Sequence, residues 1–301
     1  MRTVRSVQKG INQWSFPDDM ALSDIFTAVH EFGYEGIEVT LSTSGPLTLT
    51  SSDQELTQIR VMADDAGVQI NSVATGLYWQ FSFTSNRSDI RQRASDLAQR
   101  QLEIAQALGA DCILVCPGTV GVDFTPDQVV PDAGEIAFFA GSEVIPYEVA
   151  YDRSQEHLSQ LADTAKSCKV SIGVENIWNK FLLSPLEFKS FIDGIGSPWI
   201  GAYVDVGNML AFGYPEQWIR ILAHRIKRIH LKDYRRASGS LDGFVPLLAG
   251  DVNWPEVAQA LRDVHYTGYV NAEMVPRYAY HQFELIRSTS SAIDAIFSFI
   301  Q

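Results

Sequence analysis

The chain has 301 residues, of which 46% are hydrophobic, and its net charge is -13 with a pI of about 4.8. The acidic balance argues against a nucleic-acid-binding surface, which would be basic, and the length suffices for one full-sized barrel domain or two smaller ones. Because the sequence has neither a signal-peptide pattern nor an apolar run of about 18 residues, we expect a cytoplasmic protein that makes no membrane contact and acts on a small molecule.

Eight apolar, strand-like runs alternate with segments of helical pattern. The alternation predicts a parallel sheet, and repeats of about 38 residues favour a single (β/α)8 barrel domain over residues 1–301. An open doubly wound sheet is the alternative, although no glycine-rich dinucleotide motif follows the first run. In chain order, the predicted strands read KGINQWSF, GIEVTL, VQINSVATGL, DCILVCPG, VSIGVENI, WIGAYVDVGN, IKRIHLKD and GYVNAEMV.

Short signals bound the helices between these strands. Ser52 and Glu55 form a capping box, and Ser184 precedes a proline at the first helical position. The helix after the fourth strand is predicted over SQEHLSQLADTAKSCK. Four glycines are expected in the left-handed conformation that ends a helix; they are Gly33, Gly67, Gly109 and Gly268.

One connection, at about residues 117–150 between the fourth strand and its helix, is much longer than the others. Loops beyond about 15 residues in a compact domain are usually functional or disordered. This one carries the aromatic residues Phe124, Phe138, Phe139 and Tyr147. We therefore expect it to cover the C-terminal face of the barrel or to contact a second subunit of a homo-oligomer, a dimer or a tetramer. Packing of a surface loop on its own barrel is the alternative.

Four predicted strands end in side chains that can bind a metal ion: Glu175, Asp205, His230 and Glu273. Since the carboxyl ends of barrel strands meet on one face, these groups are expected to converge there. Three carboxylates and one imidazole suit one divalent metal ion, Mn²⁺ or Mg²⁺, with Co²⁺, Fe²⁺ or Zn²⁺ as further options. The alternative is a cluster of buried carboxylates that neighbouring Asn, Lys and Arg side chains satisfy.

Such a site could leave coordination positions open for two vicinal oxygens of a hydroxyketone. The metal would polarise the carbonyl and stabilise an enediolate after loss of the α proton. Glu175 and Glu273 lie on the fifth and eighth strands, so they can approach a bound sugar from different faces. Two proton-transfer groups on opposite faces invert a carbon, as an epimerase does, whereas one group that shuttles the proton gives an aldose–ketose isomerase.

The motifs VENxWNKFLLSP, DVGN, GYPExWI and HLKD carry a family resemblance. They resemble the xylose-isomerase-like (β/α)8 superfamily, and in particular its L-ribulose-5-phosphate 3-epimerase and hexulose-6-phosphate isomerase-like branch. The resemblance implies a sugar or sugar phosphate as substrate and a ketose 3-epimerase as the enzyme. It also implies that the two glutamates act as acid and base and that all four strand-end residues bind the metal, namely Glu175, Asp205, His230 and Glu273.

Two positions depart from the related ketose 3-epimerases, which carry a substrate-binding His three residues after the strand-6 Asp and a substrate-binding Glu after strand 5. This chain has Asn208 and Leu182 there. Arg236 keeps the family's Arg six residues beyond the strand-7 His, and it could hold a phosphate together with Arg235 and Ser238. We predict Asn208 and Arg236 as substrate contacts.

Aromatic side chains are expected around the mouth of the barrel. Trp14 ends the first predicted strand, and Trp79 lies in GLYWQFSF after the third. In the family this region covers the apolar face of the sugar, so both tryptophans are predicted to contact substrate. Asn12, Glu38 and Lys232 are further candidates, as groups that support the metal ligands.

Other functions share this scaffold. An inosose dehydratase-type lyase also begins with loss of an α proton, so the residues leave it open. A catalytically inactive, ligand-binding barrel is disfavoured because Glu175 and Glu273 are both present. An apurinic endonuclease would need a His-rich zinc site and a basic face, which a single strand-end histidine and a net charge of -13 argue against.

Overall fold

The computed structural model describes residues 7–122, 143–274 and 280–298. Within these ranges, eight parallel strands close into a barrel, and a short antiparallel sheet follows the seventh of them. The predicted (β/α)8 barrel is thereby confirmed. The barrel strands are β1 (Gln8–Asn12), β2 (Gly36–Thr40), β3 (Gln69–Ala74), β4 (Cys112–Val115), β5 (Ser171–Glu175), β6 (Ile200–Asp205), β7 (Ile226–Leu231) and β10 (Tyr269–Ala272), and the short sheet pairs β8 (Asp233–Tyr234) with β9 (Phe244–Val245).

Helices cover the outside of the barrel between successive strands. None of those in the described ranges is long and apolar enough to cross a membrane. Helix α7 is a short addition that the sequence did not predict. The helices are α1 (Leu22–Glu31), α2 (Asp53–Asp65), α3 (Ser88–Leu108), α4 (Tyr147–Gln160), α5 (Ala162–Cys168), α6 (Pro185–Ile195), α7 (Val206–Leu210), α8 (Pro215–Leu222), α9 (Trp254–Asp263) and α10 (Gln282–Ser298).

Most of the predicted helix signals operate as expected. Ser52 Oγ accepts a hydrogen bond from the amide of Glu55, whose carboxylate accepts one from the amide of Ser52, so α2 begins with a complete capping box. Ser184 Oγ caps α6 by accepting from the amide of Glu187 at 3.3 Å. The prediction for Gly268 was wrong, because α9 ends earlier and His265 takes the left-handed conformation with a φ of 53°.

The helix after the fourth strand differs from its prediction at its start and in its middle. It begins at Tyr147 rather than Ser154, and a break at Leu161 divides it into α4 and α5. Tyr147 therefore belongs to the first turn of a helix and not to the long connection.

Each barrel strand ends before its predicted run does, and in β1 and β6 a polar side chain turns the backbone. Asn12 ends β1, and its side-chain oxygen accepts from the amide of Trp14 at 2.6 Å to begin a 3₁₀ turn. Trp14 therefore lies on a turn and not at a strand end. Asp205 ends β6 as the cap of α7, and β3 ends at Ala74.

The described ends of the long insertion lie beside the loop that follows β5. The amide of Val120 donates to the carbonyl of Asn179 at 3.1 Å, and the amide of Ile145 donates to the carbonyl of Val120 at 2.9 Å. Both ends therefore meet at the carboxyl face of the barrel. The middle of the insertion, with its three phenylalanines, lies outside the described residues, so cover of this face or contact with a second subunit stays a prediction.

Buried polar groups fill the barrel interior. Asn71 on β3 and Asn271 on β10 exchange two side-chain hydrogen bonds of 3.0 Å, and Asn271 also donates to the Tyr203 hydroxyl at 3.0 Å. Gly10 on β1 provides the space, because a Cβ atom there would clash with Asn271 Oδ1. The interior network thus depends on a residue without a side chain at position 10.

We expect Gly10→Ala to lower the free energy of unfolding by about 3 kcal/mol, because it overpacks the interior and leaves a buried amide unpaired. Urea denaturation measures this change. Gly213→Ala is the matched control, since the nearest atom to a Cβ atom there, Trp218 Nε1, is 3.4 Å away. Equal stabilities for the two variants would contradict the expected clash.

Candidate metal centre

The four predicted metal ligands come together at the carboxyl end of the barrel. Glu175 and Asp205 are the last residues of β5 and β6. His230 is the last but one of β7, and Glu273 directly follows β10. All four side chains are buried, and one ligand atom from each lies within 4.8 Å of the others. The cluster could hold one metal ion.

The His230 imidazole is central to the cluster. Its Nδ1 lies 2.8 Å from Glu273 Oε2, 3.3 Å from Glu175 Oε1 and 3.9 Å from Asp205 Oδ2. Its Nε2 faces the opposite way and lies 2.7 Å from Glu38 Oε1. Nδ1 is therefore the nitrogen that would bind a metal, with the Nε2 proton donated to Glu38.

The Glu38 carboxylate is itself held by several donors. Ser72 and Tyr203 donate to its Oε2 at 2.7 Å and 2.5 Å, and the Asn12 amide donates to its Oε1. Burial opposes its ionisation, but the His230 imidazole and the two hydroxyl donors hold the pKa of Glu38 below its ordinary value. Glu38 therefore remains an anion in the barrel interior and fixes the orientation of His230.

Lys232 lies against the same cluster. Its ammonium is 3.2 Å from Asp205 Oδ2 and 2.9 Å from Glu273 Oε2, so it forms ion pairs with both acids. Within the described ranges, neither of these two buried oxygens accepts a well-aligned hydrogen bond. Buried carboxylate oxygens with unused acceptor capacity are what a cation site needs, so the donor set fits a metal ion.

The metal-free acids differ in their affinity for protons. Burial raises the pKa of Glu175 to about 7. Burial also opposes ionisation of Glu273, but the Lys232 ammonium and the His230 imidazolium lower its pKa to about 2. Desolvation disfavours the charge on His230, yet the carboxylates of Glu38 and Glu273 raise its pKa well above the ordinary value. In the metal-free protein, the proton on His230 and the ammonium of Lys232 thus supply the positive charge that a bound divalent ion would bring.

Asp205 is held in place by Asn176, on the loop after β5, and by Asn208, in α7. Its amide donates to the Asn176 side chain at 2.8 Å, and the Asn176 side chain donates back to the Asp205 carbonyl at 2.9 Å. Asp205 Oδ1 accepts from the amide of Asn208 at 2.8 Å, which leaves Oδ2 for a metal. Gly207 allows this arrangement, since a Cβ atom there would lie only 2.5 Å from Lys232 Cβ.

The predicted substrate contacts occupy different surroundings. The Asn208 side chain donates to the backbone of the loop after β5 at 3.1 Å. Trp14 and Trp79 are half-buried on 3₁₀ turns after β1 and β3, and Trp14 packs on the cluster that includes Tyr203. Arg236 is exposed, and its guanidinium lies 4.7 Å from the centre of the Tyr214 ring. Contact of these four side chains with substrate stays a prediction.

Sequence reasoning missed two residues that shape the centre. Tyr203 looked like another apolar strand residue, but its ring lies 4.5 Å from that of His230 and its hydroxyl reaches Glu38. Asn176, which holds Asp205, was not singled out. Glu38, by contrast, was among the predicted supporting groups. Its signal in the sequence is that it is a lone acid inside the apolar run GIEVTL.

A buried set of three acids and one imidazole at the carboxyl end of a closed barrel defines a TIM barrel with a candidate metal centre as the class. More particularly, the chain belongs to the family described as xylose isomerase-like TIM barrel, which it matches over residues 26–294.

Known relatives include sugar epimerases. The Escherichia coli (strain K12) protein SgbU, provisionally named an L-ribulose-5-phosphate 3-epimerase, is 24% identical over 278 residues, which are 90% of each chain. The D-psicose 3-epimerase of Enterocloster bolteae is 31% identical over 120 residues, 38% of this chain and 37% of that one. The class expected from the sequence, a sugar epimerase or isomerase, is thus the class of these relatives.

Solved structures agree with the fold. A crystal structure of the D-psicose 3-epimerase from Clostridium cellulolyticum H10 with D-tagatose superposes with a TM-score of 0.77 at 16% identity. The match covers 98% of this chain and 100% of that one. The two proteins share the complete barrel architecture.

We expect Glu38→Gln to weaken Mn²⁺ binding by about 10- to 100-fold, because loss of the charge weakens the hold on the His230 ring and lowers the basicity of Nδ1. Titration of the metal-free protein with Mn²⁺, followed by electron paramagnetic resonance, measures the affinity. Glu35→Gln makes the same chemical change at an exposed position and should leave the affinity unchanged. Equal affinities for the two variants would show that Glu38 does not support the site.

Proposed function

We propose that this protein is a divalent-metal-dependent epimerase of a sugar or sugar phosphate and that it acts at carbon 3 of a ketose. Two glutamates at the ends of different strands lie beside one imidazole nitrogen, and this placement carries the proposal. Glu175 Oε1 lies 3.3 Å and Glu273 Oε2 lies 2.8 Å from His230 Nδ1. Since β5 and β10 are three strands apart in the closed ring, the two carboxylates can reach a bound substrate from different sides.

When bound, the ion would polarise the ketose carbonyl and stabilise the negative charge that develops as the α proton leaves. Mn²⁺ or Mg²⁺ suits this mostly oxygen-donor set, with Co²⁺, Fe²⁺ or Zn²⁺ as alternatives. The residues that would hold the ion are Glu175, Asp205, His230 and Glu273.

The protein side chains divide the remaining work. Glu175 and Glu273 each have a second carboxylate oxygen, so one removes the proton at carbon 3 and the other returns a proton to the opposite face. Asp205 has one oxygen committed to the cap of α7 and acts as a ligand alone. The Lys232 ammonium offsets part of the excess negative charge of the acids and holds Asp205 and Glu273 in place.

The names of the relatives support this reaction class. SgbU is named for epimerisation of L-ribulose 5-phosphate at carbon 3, and the Enterocloster bolteae protein for epimerisation of D-psicose at the same carbon. A cytoplasmic location and a homo-oligomeric state, dimer or tetramer, complete the proposal. Both rest on the sequence.

We expect Glu175→Gln and Glu273→Gln each to retain measurable Mn²⁺ binding and to lose at least about 10²-fold in turnover, because glutamine offers an oxygen to a metal but is a very poor base. A panel of free and phosphorylated ketoses, with NMR detection of deuterium uptake from solvent at carbons 1 and 3, identifies the substrate. Deuterium wash-in from each epimer of that substrate is then measured separately for the two variants.

Each variant should block exchange from one epimer and leave exchange from the other. The exposed substitution Glu284→Gln on α10 is the control and should change neither binding nor turnover. If one variant abolishes exchange from both epimers while the other leaves both intact, a single group shuttles the proton and the enzyme is an aldose–ketose isomerase. Release of a dehydrated product would instead identify a lyase.

A further inference from the structure

A cavity of about 430 Å³ lies between three loops on the carboxyl face of the barrel. The loops follow β5 and α7 and join β8 to β9. This volume falls within the range of about 300–1,000 Å³ that small-molecule sites occupy. The lining residues are Trp178, Lys180, Leu183, Phe212, Gly239, Ser240, Leu241 and Asp242.

Two aromatic rings, those of Phe244 and Trp178, form a wall between the candidate metal centre and this cavity. The Lys232 ammonium, which contacts two of the predicted metal ligands, lies 5.2 Å from the centre of the Phe244 ring. The Phe244 ring lies 6.2 Å from the ring of Trp178, which lines the cavity. Even if the three groups lay on a straight line, only the sum of these two distances would separate the centre of the Trp178 ring from Lys232 Nζ. A substrate held at the metal centre could extend past this wall into the cavity.

The charges around the cavity disfavour a phosphate. Lys180 and Asp242, the charged residues of its described lining, have opposite signs. The two nearby arginines make contacts elsewhere, since Arg235 donates to a backbone carbonyl at 3.2 Å and Arg236 covers the ring of Tyr214. A phosphate is bound by convergent cationic donors, so the cavity fits an uncharged group.

The loop that presents Trp178 is held in a costly conformation. Lys180 and Leu182 have φ values of 56° and 55°, a left-handed region that residues other than glycine seldom adopt. Strained residues of this kind are costly and cluster at active sites and ligand-binding sites. Asn179 fixes the loop, because its side chain donates to the carbonyl of Gly118 at 2.7 Å. The fold thus maintains the shape of this wall against local strain.

The lining combines apolar faces with polar edges. The ring of Phe212 lies 5.5 Å from that of Trp178, and the indole N–H of Trp178 is buried with no hydrogen-bond partner among the described residues. Ser240 and Asp242 supply a hydroxyl and a carboxylate on the facing loop. A pyranose ring has an apolar C–H face and hydroxyl groups at its edge, so it complements such a surface.

We infer that the cavity is a subsite for a second, uncharged sugar ring and that the substrate is a keto sugar carrying a glycosyl group rather than a phosphate. The inference rests on the proposed function for the position of the keto sugar at the metal. The glycosyl ring would stack on Trp178 and Phe212, while its hydroxyl groups reach Ser240 and Asp242.

Three probes of matched structure test this inference on the Mn²⁺-loaded protein: D-fructose, D-fructose 6-phosphate and 6-O-α-D-glucopyranosyl-D-fructose. Calorimetry measures their affinities, and saturation-transfer NMR identifies which sugar protons contact the protein. We expect the disaccharide to bind at least about 10-fold more tightly than the other two, the equivalent of about 1.4 kcal/mol. We also expect its glucosyl protons to receive saturation.

Phe212→Ala should remove most of that preference without changing the affinity for D-fructose. Phe212 is 50% exposed, so the variant should fold. Phe283→Ala, the same change at a residue that is 40% exposed on α10 and outside the cavity lining, should leave all affinities unchanged. Tighter binding of the phosphate, no binding of the disaccharide, or an equal effect of Phe212→Ala on every probe would overturn the inference. If the preference persists but no probe exchanges deuterium at carbon 3, the proposed reaction fails while the subsite stands.

Discussion

A single buried hydrogen bond, between His230 Nε2 and Glu38 Oε1 at 2.7 Å, determines how the candidate metal centre is built. It points Nδ1 at the strand-end acids and commits the other nitrogen to the barrel interior. Glu38 can serve in this way because Ser72, Tyr203 and Asn12 also donate to it. The polar interior of the barrel therefore supports the site, and the candidate metal centre depends on groups well below the loops.

Charge balance explains why such a polar cluster is tolerated inside a hydrophobic fold. A buried carboxylate without a partner is strongly disfavoured, and four of them lie close together here. The protein opposes this negative charge with His230 and Lys232, and no described residue gives Asp205 Oδ2 or Glu273 Oε2 a well-aligned donor. That residual deficit is what a divalent cation would remove. The same feature that is costly for folding is thus useful for metal binding.

The sequence predicted the barrel and the four strand-end residues because each leaves a local signal in the chain. Alternation identifies parallel strands, and a charged residue at the end of an apolar run is conspicuous. Contacts between distant strands carry no such signal. Tyr203 looks apolar in its own strand, and its role depends on Glu38, which is 165 residues away. The turn at Trp14 and the short helix after Asp205 were missed because one side chain creates each of them.

The origin of the groups in the metal centre has a consequence for how the chain folds. Glu38 belongs to β2, whereas the four predicted ligands lie at the ends of β5, β6, β7 and β10. Strand β1 joins these two sets by pairing with both β2 and β10. A half-barrel intermediate would contain either the support or the ligands, but not both. An ion that binds only the native state stabilises that state by mass action. Metal binding would therefore stabilise only those chains in which the barrel has closed.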